Sequence, residues 1–194
     1  MLMFSRIVRI CLIAISAIIL FPIGVKMKSS QVSQRTETSS AAQRIKVTTW
    51  TDRGKYSLGD TVRINVSLQN TGSEEVYIDR RMFWTGLSGG LKLEIDDENG
   101  NDLPSQGLSD AMMPPPNPED TSILIRLDEG FFYGTFVNLK VKSFFPKPGK
   151  YFIQVTYNSM LNKEFVAPQL RGLPALWYGT PSIAADPIRI DVTQ

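Results

Sequence analysis

Beyond residue 44 the chain alternates apolar and polar side chains with period two. Val62, Ile64, Val66 and Leu68 alternate with Arg63, Asn65, Ser67 and Gln69. Leu91, Leu93 and Ile95 alternate with Lys92, Glu94 and Asp96. Ile123, Ile125 and Leu127 bracket Leu124 and Arg126, and Ile188, Ile190 and Val192 bracket Arg189 and Asp191. The strongest late run sets Tyr151, Ile153, Val155 and Tyr157 against Phe152, Gln154 and Thr156. In a strand, successive side chains point to opposite faces, so this pattern predicts half-buried antiparallel strands. No stretch after the leader keeps a 3.6-residue period over eleven residues.

Turn residues separate the runs. Leu58-Gly59-Asp60, Asn70-Thr71-Gly72, Glu98-Asn99-Gly100 and Pro146-Lys147-Pro148-Gly149 supply them. With Ile45–Trp50 and Val76–Ile78 the count is about seven strands, and the Phe131–Leu139 region offers an eighth. Short strands with regular turns predict an all-β, two-sheet sandwich, with a small barrel as the other closed form. Leu103–Asp120 holds Pro104, Pro114, Pro115, Pro116 and Pro118 and reads as a crossing loop.

The first residues have a different character. Residues 10–25 carry no charge and follow Arg6 and Arg9. A basic start and one apolar run form an export signature. As a helix the run would be about 24 Å long at ~1.5 Å per residue, slightly short of a bilayer core of about 30 Å. Pro22-Ile23-Gly24-Val25-Lys26 lacks the small-residue pair of a cleavage site. The run therefore reads as a retained signal anchor, with a removed signal peptide as the alternative. Lys28–Gln43 is mostly Ser, Gln and Thr and reads as a flexible linker. The predicted organisation is a leader over 1–25, a linker over 26–43 and a domain over 44–194.

Charge divides along the same line. Residues 1–43 carry five basic side chains against Glu37, a net of +4. The rest carries sixteen basic and eighteen acidic residues, a net of −2. The basic balance of the whole chain thus comes from its leader, and the domain has no electrostatic footprint for nucleic acid.

The order Tyr56-Ser57-Leu58-Gly59-Asp60, then Val62-x-Ile64-x-Val66-x-Leu68-x-Asn70-Thr71-Gly72, then Glu75-Val76-Tyr77-Ile78 is notable. It continues with Ile95-x-Asp97-x-Asn99-Gly100 and Pro148-Gly149-Lys150-Tyr151-x-Ile153-x-Val155. This succession resembles the immunoglobulin-like domains of bacterial envelope proteins. It is also similar to the intracellular proteinase-inhibitor-type Ig-like family. The resemblance covers about residues 45–192 and implies an Ig-like sandwich with a binding or inhibitory role. Gly149-x-Tyr151 resembles the approach to a tyrosine corner, in which a Tyr hydroxyl closes one end of the sandwich. The export leader departs from the intracellular inhibitor pattern.

Composition removes several chemistries. The chain has no histidine, and Cys11, in the leader, is its one cysteine. Ser-His-Asp and Cys-His nucleophilic sites are excluded, as are His or thiolate metal sites in the domain. No disulfide can form within the domain. A carboxylate-pair hydrolase would have to draw on Asp79, Glu94, Asp96, Asp97, Asp128 and Glu129. Their plainer reading is strand-face and turn charge. Asp97-Glu98-Asn99-Gly100-Asn101-Asp102 places oxygen ligands in a Gly-containing loop, as calcium requires, but a hairpin turn explains it equally. Arg80-Arg81 reads as a solvated strand end.

Aromatic pairs are the last signal. Phe131-Phe132-Tyr133, Phe144-Phe145 and Trp177-Tyr178 are adjacent in sequence. In strands one member of each pair can face outward, so Phe132, Phe144, Trp177 and Tyr178 are candidates for a partner surface, while the plainer reading is that both sheet faces are partly covered, by the proline loop and by Leu161–Trp177. The proline-rich Met112-Met113-Pro114-Pro115-Pro116 is a candidate inhibitory loop, its extended backbone held at low entropic cost. The sequence thus predicts a non-catalytic module without a cofactor, outside the cytoplasm and held at the membrane through residues 10–25. Its expected partner is an envelope protein or glycan. The alternative is a protease inhibitor.

Overall fold

The computed structural model describes residues 37–84, 90–103 and 117–194. The leader and the Met112–Pro115 loop lie outside the described residues. What is described is all-β, with two short α-helices and two single 3-10 turns. Eleven strands occur among the described residues: β1 (Ile45–Thr51), β2 (Lys55–Ser57), β3 (Thr61–Asn70), β4 (Val76–Asp79), β5 (Gly90–Asp97), β6 (Asp102–Leu103), β7 (Leu124–Leu127), β8 (Phe132–Lys140), β9 (Gly149–Asn158), β10 (Ile183–Ala184) and β11 (Ile188–Thr193). Eight of them fall where the alternation places them. The three extra ones, β2, β6 and β10, are two or three residues long, too short to show a period.

Three strands form one sheet in the order β1-β3-β8. Five form a second path, β2-β11-β9-β5-β6, with β10 also paired to β9. β4 and β7 form a separate two-stranded ribbon. Among the strand pairs described, the expectation of purely antiparallel pairing is corrected at one place. β2 runs parallel to β11, with Tyr56 opposite Val192. The cause is connectivity: β2 is reached from β1 through a short turn, whereas β11 comes from the far end of the domain.

The phase of the alternation decides burial. Val62, Ile64, Val66 and Leu68 of β3 are fully buried, as are Leu91 and Ile95 of β5 and Ile153 and Val155 of β9. Inner faces of both larger sheets contribute to one apolar cluster. A second cluster gathers Ile123, Leu161, Val166, Ala167, Leu170, Ala175 and Trp177 under the segment between β9 and β10. Burying a Val, Leu or Ile side chain stabilises by about 1.5–3 kcal/mol, so the shared cluster is the main source of the fold's cohesion.

Polar residues fix the ends. Tyr151 is buried and its hydroxyl donates to the Lys147 carbonyl at 2.6 Å. Its ring meets that of Phe145 edge-on, with centroids 5.0 Å apart. This is the bond from the strand back to the preceding turn that Gly149-Lys150-Tyr151 predicts. Asn70 closes the other end of β3. Its Nδ2 donates to the carbonyls of Glu74 and Leu127 at 2.7 and 2.9 Å, and its Oδ1 accepts from Gly72 N at 3.0 Å. A carboxamide offers two N–H donors on one atom together with a carbonyl acceptor, which suits Asn to the start of that turn.

Two expectations change here. Residues 37–43, read as linker, belong to helix α1 (Glu37–Arg44), with Ala41 buried against the core. Arg44 pairs with Glu74, and its carbonyl accepts from Thr71 N. Apolar Ala41 and Ala42 provide the contact that the surrounding polar composition conceals. The second change concerns Arg81, read as solvated. It grips the buried Asp79 carboxylate through Nε at 3.0 Å and Nη2 at 2.9 Å. A buried carboxylate needs such a partner.

Candidate functional site: the outer face of the three-stranded sheet

The β1-β3-β8 sheet has one covered and one open face. Its register puts Trp50, Asn65 and Phe136 on one rung, Thr48, Ser67 and Gly134 on the next outward-facing rung, and Lys46, Gln69 and Phe132 on the third. Trp50 is 46% exposed, Phe132 67% and Phe136 47%. These are large apolar rings on a face that is otherwise polar. Neighbouring strands lie about 4.8 Å apart and residues rise about 3.4 Å along a strand. The three rings therefore frame an area about three strands wide and four residues long.

The middle of that frame is low. Gly134 sits against β3 so closely that a Cβ there would lie 2.5 Å from the Val66 carbonyl oxygen. No other residue fits without moving backbone. Arg63 lies over the Phe136 ring, its guanidinium carbon 3.9 Å from the ring centroid. The outward residues of these strands include Lys46, Arg63 and Lys140 but no Asp or Glu. The face is aromatic and positive, in a domain whose net charge is negative.

The opposite outer face, on β5, β9 and β11, is built differently. Lys92 bonds Glu94 at 2.6 Å, and Arg189 bonds Asp191 at 2.9 Å. Phe152 borders a groove of about 360 Å³ also lined by Asp96, Asp97 and Glu98. At its rim Asp97 clips the β5–β6 hairpin. Its Oδ1 accepts from Asn99 N at 2.8 Å and Asn101 N at 3.0 Å, and Asn101 Nδ2 reaches its Oδ2 at 3.0 Å. The Asn101 side-chain bond, helped by the backbone donors, holds the Asp97 carboxyl down at about 2. Gly100 takes φ +79°, as such a turn needs. The hairpin thus accounts for Asp97, Gly100 and Asn101. Among the described residues no three Asp, Glu, His or Cys side chains form a group that could hold a metal ion.

The predicted partner-surface residues separate. Phe132 is on the open face, and Tyr178 is 71% exposed in the turn Trp177–Thr180. Phe144 and Trp177, at 8% and 6% exposed, are corrections: both are core. Phe144 ends the one-turn helix α2 (Val141–Phe144) and joins Phe145 in the main cluster. Trp177 anchors the second cluster, with Lys163 Nζ 5.5 Å from its ring centroid. The inhibitory-loop candidates Met112, Met113, Pro114 and Pro115 lie outside the described residues. Of the carboxylates weighed for hydrolysis, Asp79, Glu94, Asp97 and Asp128 each have a partner: Arg81, Lys92, Asn101 and Arg126. Trp50 and Phe136 were missed, yet their phase marks them. Both occupy polar positions in runs whose partners, such as Val47 and Leu139, face inward.

No family model matches the chain, and no curated protein matches it. Among solved structures, a β-glucosidase of Erythrobacter marinus is 14% identical, with a TM-score of 0.36. A β-glucosidase of Listeria innocua with glucose is 9% identical, with a TM-score of 0.33. Each alignment takes in 77% of this chain, which spans only 16% of the length of either enzyme. A structural-genomics target protein is 15% identical over 76% of this chain and 84% of its own, with a TM-score of 0.29. Likenesses this loose assign neither a fold family nor an activity.

Proposed function

We propose that this chain is a non-catalytic binding module, an Ig-like sandwich carried at the cell envelope, that engages a protein partner through the outer face of β1, β3 and β8. The observation that carries this reading is the exposure of Trp50, Phe132 and Phe136 around the low ground at Gly134. Aromatic side chains and arginine are the residues that dominate protein interfaces. The face has no acidic side chain, so it suits an apolar patch rimmed with Asp and Glu. Attraction of that kind speeds encounter and weakens with salt.

The Ig-like assignment draws support from two sheets sharing one core and from the Tyr151–Lys147 bond, a corner of the kind such sandwiches use. Export rests on the basic leader and residues 10–25. In this reading the leader is retained as a membrane anchor, and intact mass of the protein from membranes tests that. A mature terminus between about residues 22 and 43 would mean removal.

The binding reading is tested by placing a photo-crosslinking side chain at Thr48 and, separately, at Phe152, in cells. The expected result is an adduct to a distinct protein from Thr48 that fades as salt rises, with none from Phe152. Equal adducts from both positions, or none from Thr48, would overturn the assignment of the face.

A further inference from the structure

We infer that β8 pairs edge to edge with β8 of a second copy of this chain, antiparallel and centred on Phe136. The inference does not depend on what the outer face binds.

β8 is the last strand of its sheet, and among the described residues nothing pairs with its far side. Natural sheets protect such edges with short strands, bulges, proline or inward-pointing charge. The ends of the other sheet show such protection: β2 and β6 are three and two residues long. β8 is nine residues long, has no proline, and keeps one unbroken register from Thr61–Lys140 to Gln69–Phe132. Its inward side chains Tyr133, Thr135 and Val137 are only half-buried, whereas their β3 partners Leu68, Val66 and Ile64 are fully buried. Among the described residues the interior is therefore less covered along this edge than beneath β3.

The hydrogen bonding identifies the free groups. Asn70 N donates to Phe131 O at one end of the register, and Val141 N donates to Asp60 O at the other. Bonded and non-bonded pairs alternate in an antiparallel ladder. The odd-numbered residues from 131 to 141 thus bond to β3. The N–H and C=O groups of Phe132, Gly134, Phe136, Asn138 and Lys140 point to the open edge.

The sequence of β8 is complementary to itself. About a two-fold axis at Phe136, Thr135 meets Val137 of the other copy and Tyr133 meets Leu139, all on the inner side. On the outer side Gly134 meets Asn138, and Lys140 falls opposite Phe132, where cation and ring attract. No like charges oppose. Phe136 meets its own equivalent as a bonded pair, and the two three-stranded sheets become one of six strands.

Disulfide trapping tests this in the full chain carrying Cys11→Ser, under mild oxidant. Bonded pairs bring Cα atoms to about 5.5 Å, within disulfide reach. Phe136→Cys is expected to give a covalent dimer on a non-reducing gel. Phe132→Cys and Lys140→Cys, each alone, are expected to stay monomeric, and mixing the two is expected to give a dimer. A dimer from all three single variants, or from none, would overturn the pairing. Asn138→Pro removes one edge donor and leaves the β3 ladder intact. In the Phe136→Cys chain it is expected to cut the trapped dimer at least tenfold while the far-UV spectrum stays unchanged. An undiminished dimer would likewise overturn the proposal.

Discussion

The two outer faces of this domain are built from the same strand alternation and end up with opposite chemistry. On β5 and β11, charges two residues apart pair with each other: Lys92 with Glu94 and Arg189 with Asp191. These charges satisfy each other and leave little unopposed charge on those strands. On β1, β3 and β8 the positive charges have no acidic neighbour on the face, and Trp50, Phe132 and Phe136 stand in water. Rings left exposed at this density forgo the stability that burial would give. The difference teaches that the same alternation can leave one outer face with its charges paired and the other with exposed rings and unopposed positive charge.

The largest break lies beneath both faces. Tyr151→Ala removes a ring from the core they share, and should cost on the order of 3–5 kcal/mol in urea melts. Tyr151→Phe, losing only the bond to Lys147, should cost about 0.5–1.5 kcal/mol. Next in size is the contrast itself. Trp50→Ala or Phe136→Ala should weaken partner binding by about 2 kcal/mol, roughly 30-fold. Both should leave the unfolding free energy within about 0.5 kcal/mol of wild type, whereas Phe152→Ala should change neither quantity. A smaller effect separates the faces by salt. Glu94→Gln on the paired face should cost at most about 1 kcal/mol, a loss that vanishes in 1 M salt.

The smallest effect is one of pH. Asp97 has a carboxyl held at about 2 in the folded chain against an ordinary 3.8. A depressed carboxyl contributes stability that is fully present above the ordinary value and is lost as pH falls through the folded one. The hairpin clip should therefore weaken between about pH 4 and pH 2. Asp97→Asn should flatten the acid limb of a urea-midpoint profile in that window and leave the neutral limb parallel to wild type.

The strands were legible because their apolar phase was clean. Val62 to Leu68 and Tyr151 to Tyr157 each mark a buried face without help from context. The faces were less legible, because the rule that neighbours point apart holds only inside strands. Phe144 and Phe145 lie in and just after a single helical turn, where both reach the core. Trp177 precedes a turn rather than a strand and is taken up by a second cluster. Applied to Trp50 and Phe136, which do lie in strands, the same rule identifies them correctly. Arg81 escaped because its partner, Asp79, is buried by tertiary packing that the local sequence does not reveal. β2, β6 and β10 owe their existence to longer strands beside them.

The place of β11 between β2 and β9 also sets a timetable. β2 is made early, yet it has no neighbour in its sheet until residues 188–193 emerge. The larger sheet remains split for most of synthesis, and its closing contacts join residues more than a hundred positions apart. Contacts of that span are slow to form. Under the export proposed above, such a delay keeps the domain unlocked while the chain crosses the membrane. The strand that closes the sheet follows all the others it joins, so β2 is locked in place only after β5 and β9 have been made.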